Sequence, residues 1–513
     1  MKKVRSRCSS QGDLPSRWQH CSTVVNQADR PISDAFRLSD NCTGMKRYEA
    51  LAHKMAESIA SGQLRPGDRV QSVREASRSH GVSPSTVFEA YYLLEARGLI
   101  EARPRSGYFV SHAATKQAEP DASAPHADGR QVEVSELVFQ VLGHAKNRTM
   151  APLGSAFPSP TLFPLPKLAL SLGKALRRLD PWRTVEDLSP GSAALRRQIG
   201  LRYLAMSCGV DTEELVITNG AMEALNLCLE AVTKPGDLVA VESPTFYAAL
   251  QALERRGLRA VEVATHPRTG VDVNALASVL ERHPVKACWF MPNFQNPLGS
   301  LMPDSAKQNL VELLAKHQVP LIEDDVYGEL YFGSQKPKPA KAWDRDGLVM
   351  HCSSFSKTLA PGYRVGWTAA GRFTQDVAKR KLMSSLAAPL PSQEGLNEYL
   401  QHGGYDRHLR QLRAKLAKQR HVALRGIAKC FPAGTRVTQP EGGYFVWVEL
   451  PKSVDALELH RLALSHDISL APGHLFSADH RYEHHVRINF GHPDDGKFEA
   501  ALKTVGAIAK ALV

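Results

Sequence analysis

Apolar and polar residues change their rhythm several times along this chain, and each change marks an element. From Tyr48, apolar side chains fall at Leu51, Met55 and Ile59, one face of a helix that Gly62 can stop. "RPGD" at 65–68 is a turn. A short helix follows, with Ser72 as its cap and Gly81 as its end. "VSPSTVFEAYYLLEARG" then starts another, with Ser83 as cap, Pro84 in the first turn and Gly98 as terminator. "LIEARPRSGYFV" (99–110) reads as two short strands about a turn. Helix, helix, helix, hairpin is the order of a winged helix-turn-helix.

Between 112 and 132 the pattern disappears into "HAATKQAEPDASAPHADGRQV", which has no apolar face and is expected to be a flexible linker. Beyond it, runs apolar on both faces ("DLVAVE", "ACWFMP", "PLIEDD") alternate with helical stretches ("AMEALNLCLEAV", "DSAKQNLVELLAKHQ"). That alternation predicts an α/β body with a mainly parallel sheet covered on both sides. A long basic helix near 404–428, then "GGYFVWVEL" and "HHVRINF", suit a smaller α+β C-terminal lobe. The expected organisation is an N-terminal extension at 1–44, read as disordered, a winged head at 45–111, a linker at 112–135 and a body at 136–513. The small lobe starts from about 390.

At 513 residues, several domains are the ordinary expectation, and the net charge of +12 invites a polyanionic partner. The eight cysteines are scattered without a CxxC pair or a histidine cluster at zinc spacing, so free thiols, no metal and a cytoplasmic setting are expected. No apolar run reaches the length of a membrane span, and the N-terminus lacks the apolar core of a signal peptide.

The chemistry gathers around Lys357, in "CSSFSKTLAPGYRVGW". A free lysine is a poor nucleophile at neutral pH, but as an internal imine to an aldehyde it becomes a reusable anchor. Pyridoxal 5'-phosphate is such an aldehyde, and every group it needs has a candidate. Arg364, Ser354 and Ser356 can hold its phosphate, together with the backbone N–H groups of Gly220, Ala221 and Met222, where a strand gives way to a helix. Asp324 can keep the ring nitrogen protonated. Tyr327 and Asn296 can meet the 3'-oxygen, and Phe246 can cover the ring.

With "TNGAMEAL", "SPTFY", "NFQNPLG", "EDDVYGELYF", "SSFSKTLAPGYRVGW" and "PEGGYFVWVEL" in this order, the body resembles the fold-type I, class I aminotransferases. With its head, the chain resembles the MocR subfamily of GntR-type regulators, from about residue 46 to the C-terminus, the linker excepted. The resemblance implies that Arg487, in "VRINF", holds the α-carboxylate of an amino acid, and that the protein is a homodimer with its sites at the subunit boundary. It also implies double-stranded promoter DNA as partner, with Arg74, Ser83, Ser85, Thr86, Arg103 and Arg105 as candidate contacts. Three departures count against efficient transamination: "RTVEDLSPGSAALR" lacks the usual tyrosine, Met222 stands where a polar residue is common, and Phe246 replaces a tyrosine. The leading expectation is therefore a regulator that senses the cofactor, or an amine or amino acid bound through it. The alternative is a working aminotransferase with an accessory head.

Overall fold

In a computed structural model of the chain, the described residues are 46–103, 106–111, 117–126, 128–142, 149–402, 404–492 and 496–513. The extension at 1–44 and Arg105 lie outside them.

The head forms as its sequence rhythm predicts. Helices α1 (Arg47–Ala60), α2 (Val73–His80) and α3 (Pro84–Ala96) precede a wing of β1 (Ile100–Arg103) and β2 (Gly107–Val110). Ser72 and Glu75 cap α2 reciprocally, and Gly81 ends it at φ 62, a left-handed conformation that glycine adopts without strain. Ser83 caps α3 by accepting from the Thr86 N–H, with Pro84 in the first turn. Leu51, Met55, Val70, Val87, Tyr91, Leu94, Ile100 and Val110 close a small core of the head's own.

The body is built on β3 (Arg130–Gln131), β4 (Leu215–Thr218), β5 (Leu238–Ser243), β6 (Arg259–His266), β7 (Gly270–Val271), β8 (Val285–Phe290), β9 (Leu321–Asp324), β10 (Val349–Ser354) and β11 (Gly366–Ala369). Their order is β3-β6-β5-β8-β9-β10-β11-β4, with β7 beside β6. The strands from β6 to β10 run parallel, while β11 runs antiparallel to both its neighbours, β10 and β4. A second, antiparallel sheet orders β12 (Arg436–Val437), β13 (Phe445–Glu449), β15 (His485–Asn489) and β14 (Ala471–Pro472). The mainly parallel sheet and the smaller α+β lobe are thus both present.

Two expected boundaries differ in the structure. Part of the segment expected as flexible linker is held to the body: β3 pairs antiparallel with β6, Asp121 meets Arg436 at 2.6 Å, and Glu119 accepts from Arg268 and from the Gln439 N–H. Such ties use backbone groups and carboxylates, so they leave no trace in hydrophobic rhythm. The small lobe also does not begin near 390. Leu396, Tyr399, Tyr405 and Leu409 pack with Leu168, Leu195, Ile217 and Trp367 against the large sheet, whereas Val134, Val138 and Leu153 join the cluster that includes the small lobe.

Candidate functional site

The site lies where parallel strands end and the chain changes direction, the usual place for a ligand in an open α/β sheet. Strand β10 runs into a single 3-10 turn, Phe355–Lys357, which delivers Lys357 beside the end of β9, where Asp324 is the last residue. The Lys357 ammonium donates to the carbonyl of Ala156 at 2.9 Å and sits 3.8 Å from the centre of the Phe157 ring. Burial, followed by the charge of Arg487, pulls its pKa down to about 7, with Asp324 opposing. Burial and the neighbouring Asp325 carry Asp324 the other way, up to about 7, and its Oδ1 has no partner.

An anion cradle closes the near end. Gly220, at φ 85, turns β4 into the helix Ala221–Val232, whose first N–H groups lie beyond the reach of its own i−4 carbonyls. A Cβ at Gly220 would fall onto the Arg364 guanidinium. That guanidinium donates to the Asn219 carbonyl at 2.7 Å and to that of Pro361 at 3.4 Å, and the residue is exposed. Ser354 accepts from the Ser356 N–H, while the buried Ser356 Oγ has no partner. Glu223 pins the turn by accepting from Asn219 and is itself gripped by Lys381 at 2.8 Å. Met222 packs against the core, and the Phe246 ring lies 4.7 Å from that of Tyr247.

At the far end, Arg487 on β15 is fully buried. It donates to Asn296 Oδ1 at 3.0 Å and to the Gly154 carbonyl at 2.6 Å, and its Nε is unpartnered. Asn296 in turn reaches the Tyr327 hydroxyl at 3.5 Å. The structure therefore gathers Lys357, Asp324 and the linked trio Tyr327, Asn296 and Arg487 into one buried site, and Arg364, Gly220, Ala221 and the two serines into the adjoining cradle. Three buried polar atoms without partners (Asp324 Oδ1, Ser356 Oγ, Arg487 Nε) mark where a ring nitrogen, a phosphate and a carboxylate would be received. The residues present fit pyridoxal phosphate.

Sequence reasoning missed a strap. Residues 154–157 lie over Lys357 and Arg487, held by Asn489 Nδ2 on the Ser155 and Phe157 carbonyls (2.9 and 2.7 Å) and by the Tyr444 hydroxyl on that of Ala156 (3.0 Å). Most of these contacts use backbone carbonyls, which carry no side-chain signature. The glycine and prolines of "APLGSAFPSP" were the available hint.

On the head, Arg74, Ser83 and Ser85 are exposed and Thr86 is half-buried at the start of α3. Ser83 Oγ lies 2.8 Å from both Ser85 Oγ and Thr86 Oγ1. Arg103 pairs with Glu101 at 2.9 Å and covers the Phe109 ring.

Fold and site together define a GntR-type DNA-binding head on an aminotransferase-like body, and comparisons with known proteins agree. Residues 189–505 match the family "Aminotransferase class I and II", and 47–110 match "Bacterial regulatory proteins, gntR family". The chain is 45% identical to YdcR, an uncharacterized HTH-type transcriptional regulator of Escherichia coli (strain K12), over 90% of this chain and 99% of that one. It is 37% identical to YjiR, another uncharacterized HTH-type transcriptional regulator of the same organism, over 90% of this chain and 98% of YjiR. Among solved structures, Pyrococcus horikoshii kynurenine aminotransferase in complex with PMP matches with a TM-score of 0.67 and 28% identity, over 74% of this chain and 95% of that one. The chain belongs to the HTH-type transcriptional regulators of MocR type, in which a GntR head is fused to an aminotransferase class I and II body. Among the described residues, no helix is long and apolar enough to cross a membrane, and no group of residues could hold a metal ion.

Proposed function

We propose that this regulator works in the cytoplasm, binds promoter DNA through its head, and uses its body to sense pyridoxal 5'-phosphate or an amine or amino acid bound with it. The observation that carries this reading is that Lys357 and Asp324 lie buried at the ends of neighbouring strands, beside the anion cradle. The cofactor, once bound, supplies a reactive aldehyde for a primary amine and a ring that withdraws electrons. The rest falls to the chain's own residues. Burial pulls the Lys357 pKa down to about 7, so a large fraction of it is an unprotonated, nucleophilic amine at neutral pH, which an ordinary lysine is not. Asp324, whose Oδ1 is buried without a partner, would hold a proton at the ring nitrogen. Arg364, the helix N-terminus and the two serines fix the phosphate, while Arg487 orients a carboxylate. The Gly154 carbonyl occupies the same Arg487 guanidinium, so an entering carboxylate competes with the strap. Strap displacement gives a ligand-dependent change in a segment that leads back, through 117–142, to the head.

Exposed apolar side chains favour a homodimer. Trp182, Val185 and Leu188 lie on one stretch and Leu382, Met383 and Leu386 on another, and the Ser189 hydroxyl joins the two by donating to the Ala378 carbonyl at 3.2 Å.

The test is promoter DNA binding at fixed salt, with and without the cofactor, across a panel of amines and amino acids. Altered DNA affinity, with persistent absorption changes on ligand addition, supports sensing. Equal affinity under all conditions refutes it. Rapid multi-turnover conversion of amino acids would instead favour the aminotransferase reading, which the same lysine and Arg487 could serve.

A further inference from the structure

The head is docked on the body through the long, basic helix Gly404–Cys430, which the cofactor site does not use. Gly98, at φ 69, brings the end of α3 so close that a Cβ there would strike the His421 ring. Three residues on, Glu101 of the wing meets Arg425 at 3.3 Å. Between these two contacts the surfaces separate and leave a cavity of about 380 Å³, within the ~300–1,000 Å³ of small-molecule sites.

Its lining is unbalanced in charge. Arg97, Lys418, Arg420 and Arg425 face it, against two carboxylates, Glu95 and Glu101. Glu101 is already shared between Arg103 and Arg425. Neither Arg97 nor Lys418 makes an ion pair with any described residue. Arg420 donates to the Pro440 carbonyl at 2.7 Å, lies 3.4 Å from His421 Nε2 and covers the Phe332 ring, but its Nε is buried without a partner. On the opposite side, Gln117 donates to the Thr435 carbonyl but leaves Oε1 buried and unpartnered. Two cations without ion pairs, with the unpartnered Arg420 Nε and Gln117 Oε1 on residues of the same lining, suit a ligand that is anionic at one end and carries a hydrogen-bond donor at the other.

We propose that the head–body junction binds a small phosphorylated compound bearing a hydroxyl, its phosphate held by Arg97, Lys418 and Arg420 and its hydroxyl donating to Gln117 Oε1. Such a ligand bridges the head, through Arg97, to the body, through Lys418 and Arg420, and so fixes the angle at which the head is presented. The site is separate from the cofactor cradle and does not depend on it.

Calorimetric titration of the full-length chain with glycerol 3-phosphate tests this, with inorganic phosphate and glycerol alongside. One saturable site per chain is expected, weakened about tenfold or more by the double substitution Arg97→Ala, Lys418→Ala. Lys418→Arg should retain binding, as should Arg364→Ala, which removes the cofactor-phosphate cation. Gln117→Leu should weaken glycerol 3-phosphate while leaving inorganic phosphate unchanged. The proposal is overturned if no saturable binding appears up to roughly 10 mM, or if binding disappears in Arg364→Ala and survives in the double variant, which would assign it to the cofactor cradle.

Discussion

The body's site and the head's surface solve opposite problems. In the body, polar groups from β4, β9, β10, β15 and the loop carrying Asn296 are buried, and several are left without partners. On the head, the candidate residues occupy one contiguous stretch of about thirty positions, are largely exposed, and already satisfy one another, as Ser83, Ser85 and Thr86 do. Unsatisfied buried groups store a demand that only a specific ligand can meet. Exposed, mutually satisfied groups exchange water for phosphate at little cost and give up counterions as they do so. The body is therefore expected to be selective and insensitive to salt, the head permissive and salt-dependent.

The sharpest way to break this contrast is Lys357→Ala, which should abolish the imine absorption band seen on cofactor addition while leaving operator binding by the head measurable. Loss of both would mean that the two regions are not separable. Next in size, Arg487→Ala should weaken carboxylate-bearing ligands by about 2–5 kcal/mol, as expected when one partner of a buried charge pair is removed, without displacing the cofactor. Titration of cofactor absorbance with amino acids would show this. Gly220→Ala should cost about 1–3 kcal/mol, because φ 85 with ψ 169 is a conformation that essentially only glycine adopts. It should also weaken cofactor uptake, because the new methyl displaces the Arg364 guanidinium.

The pH dependence sharpens the comparison further. A lysine whose pKa is pulled down to about 7 loses its proton well below an ordinary one, which titrates at about 10.4. The rate of cofactor attachment should therefore rise with pH up to about 7 and then level off; a rate still climbing above pH 9 would contradict the buried environment. The smallest effect belongs to the head. Arg103→Ala should reduce the dependence of log K on log salt by about 0.9, one phosphate contact, leaving sequence preference intact. Competition binding across a salt series would detect it.

Much of this was legible in the chain. The caps at Ser72 and Ser83, the stops at Gly81 and Gly98 and the alternation in the wing are local, because each acts through hydrogen bonds within a few residues. The fully apolar strands announced a sheet covered on both faces, and the motifs around Lys357, Asp324, Asn296 and Gly220 carried the site's membership. The strap was hidden, since it works through the carbonyls of Gly154 and Ala156. So was the anchoring of Glu119 and Asp121, whose partners lie more than a hundred residues away. The small lobe's true limit was hidden as well, because one helical rhythm near 390–409 fits either of two cores.

The sequence by itself therefore determined the elements, their order and the kinds of chemical group available, since periodicity, capping and turn conformation are decided within one or two turns of chain. Only the tertiary structure decided which of those groups lose their water together. Burial is what brings Lys357 and Asp324 both to a pKa near 7 and leaves Arg487 Nε and Ser356 Oγ waiting for a ligand. Burial is a property of the packed whole that no short stretch of chain possesses.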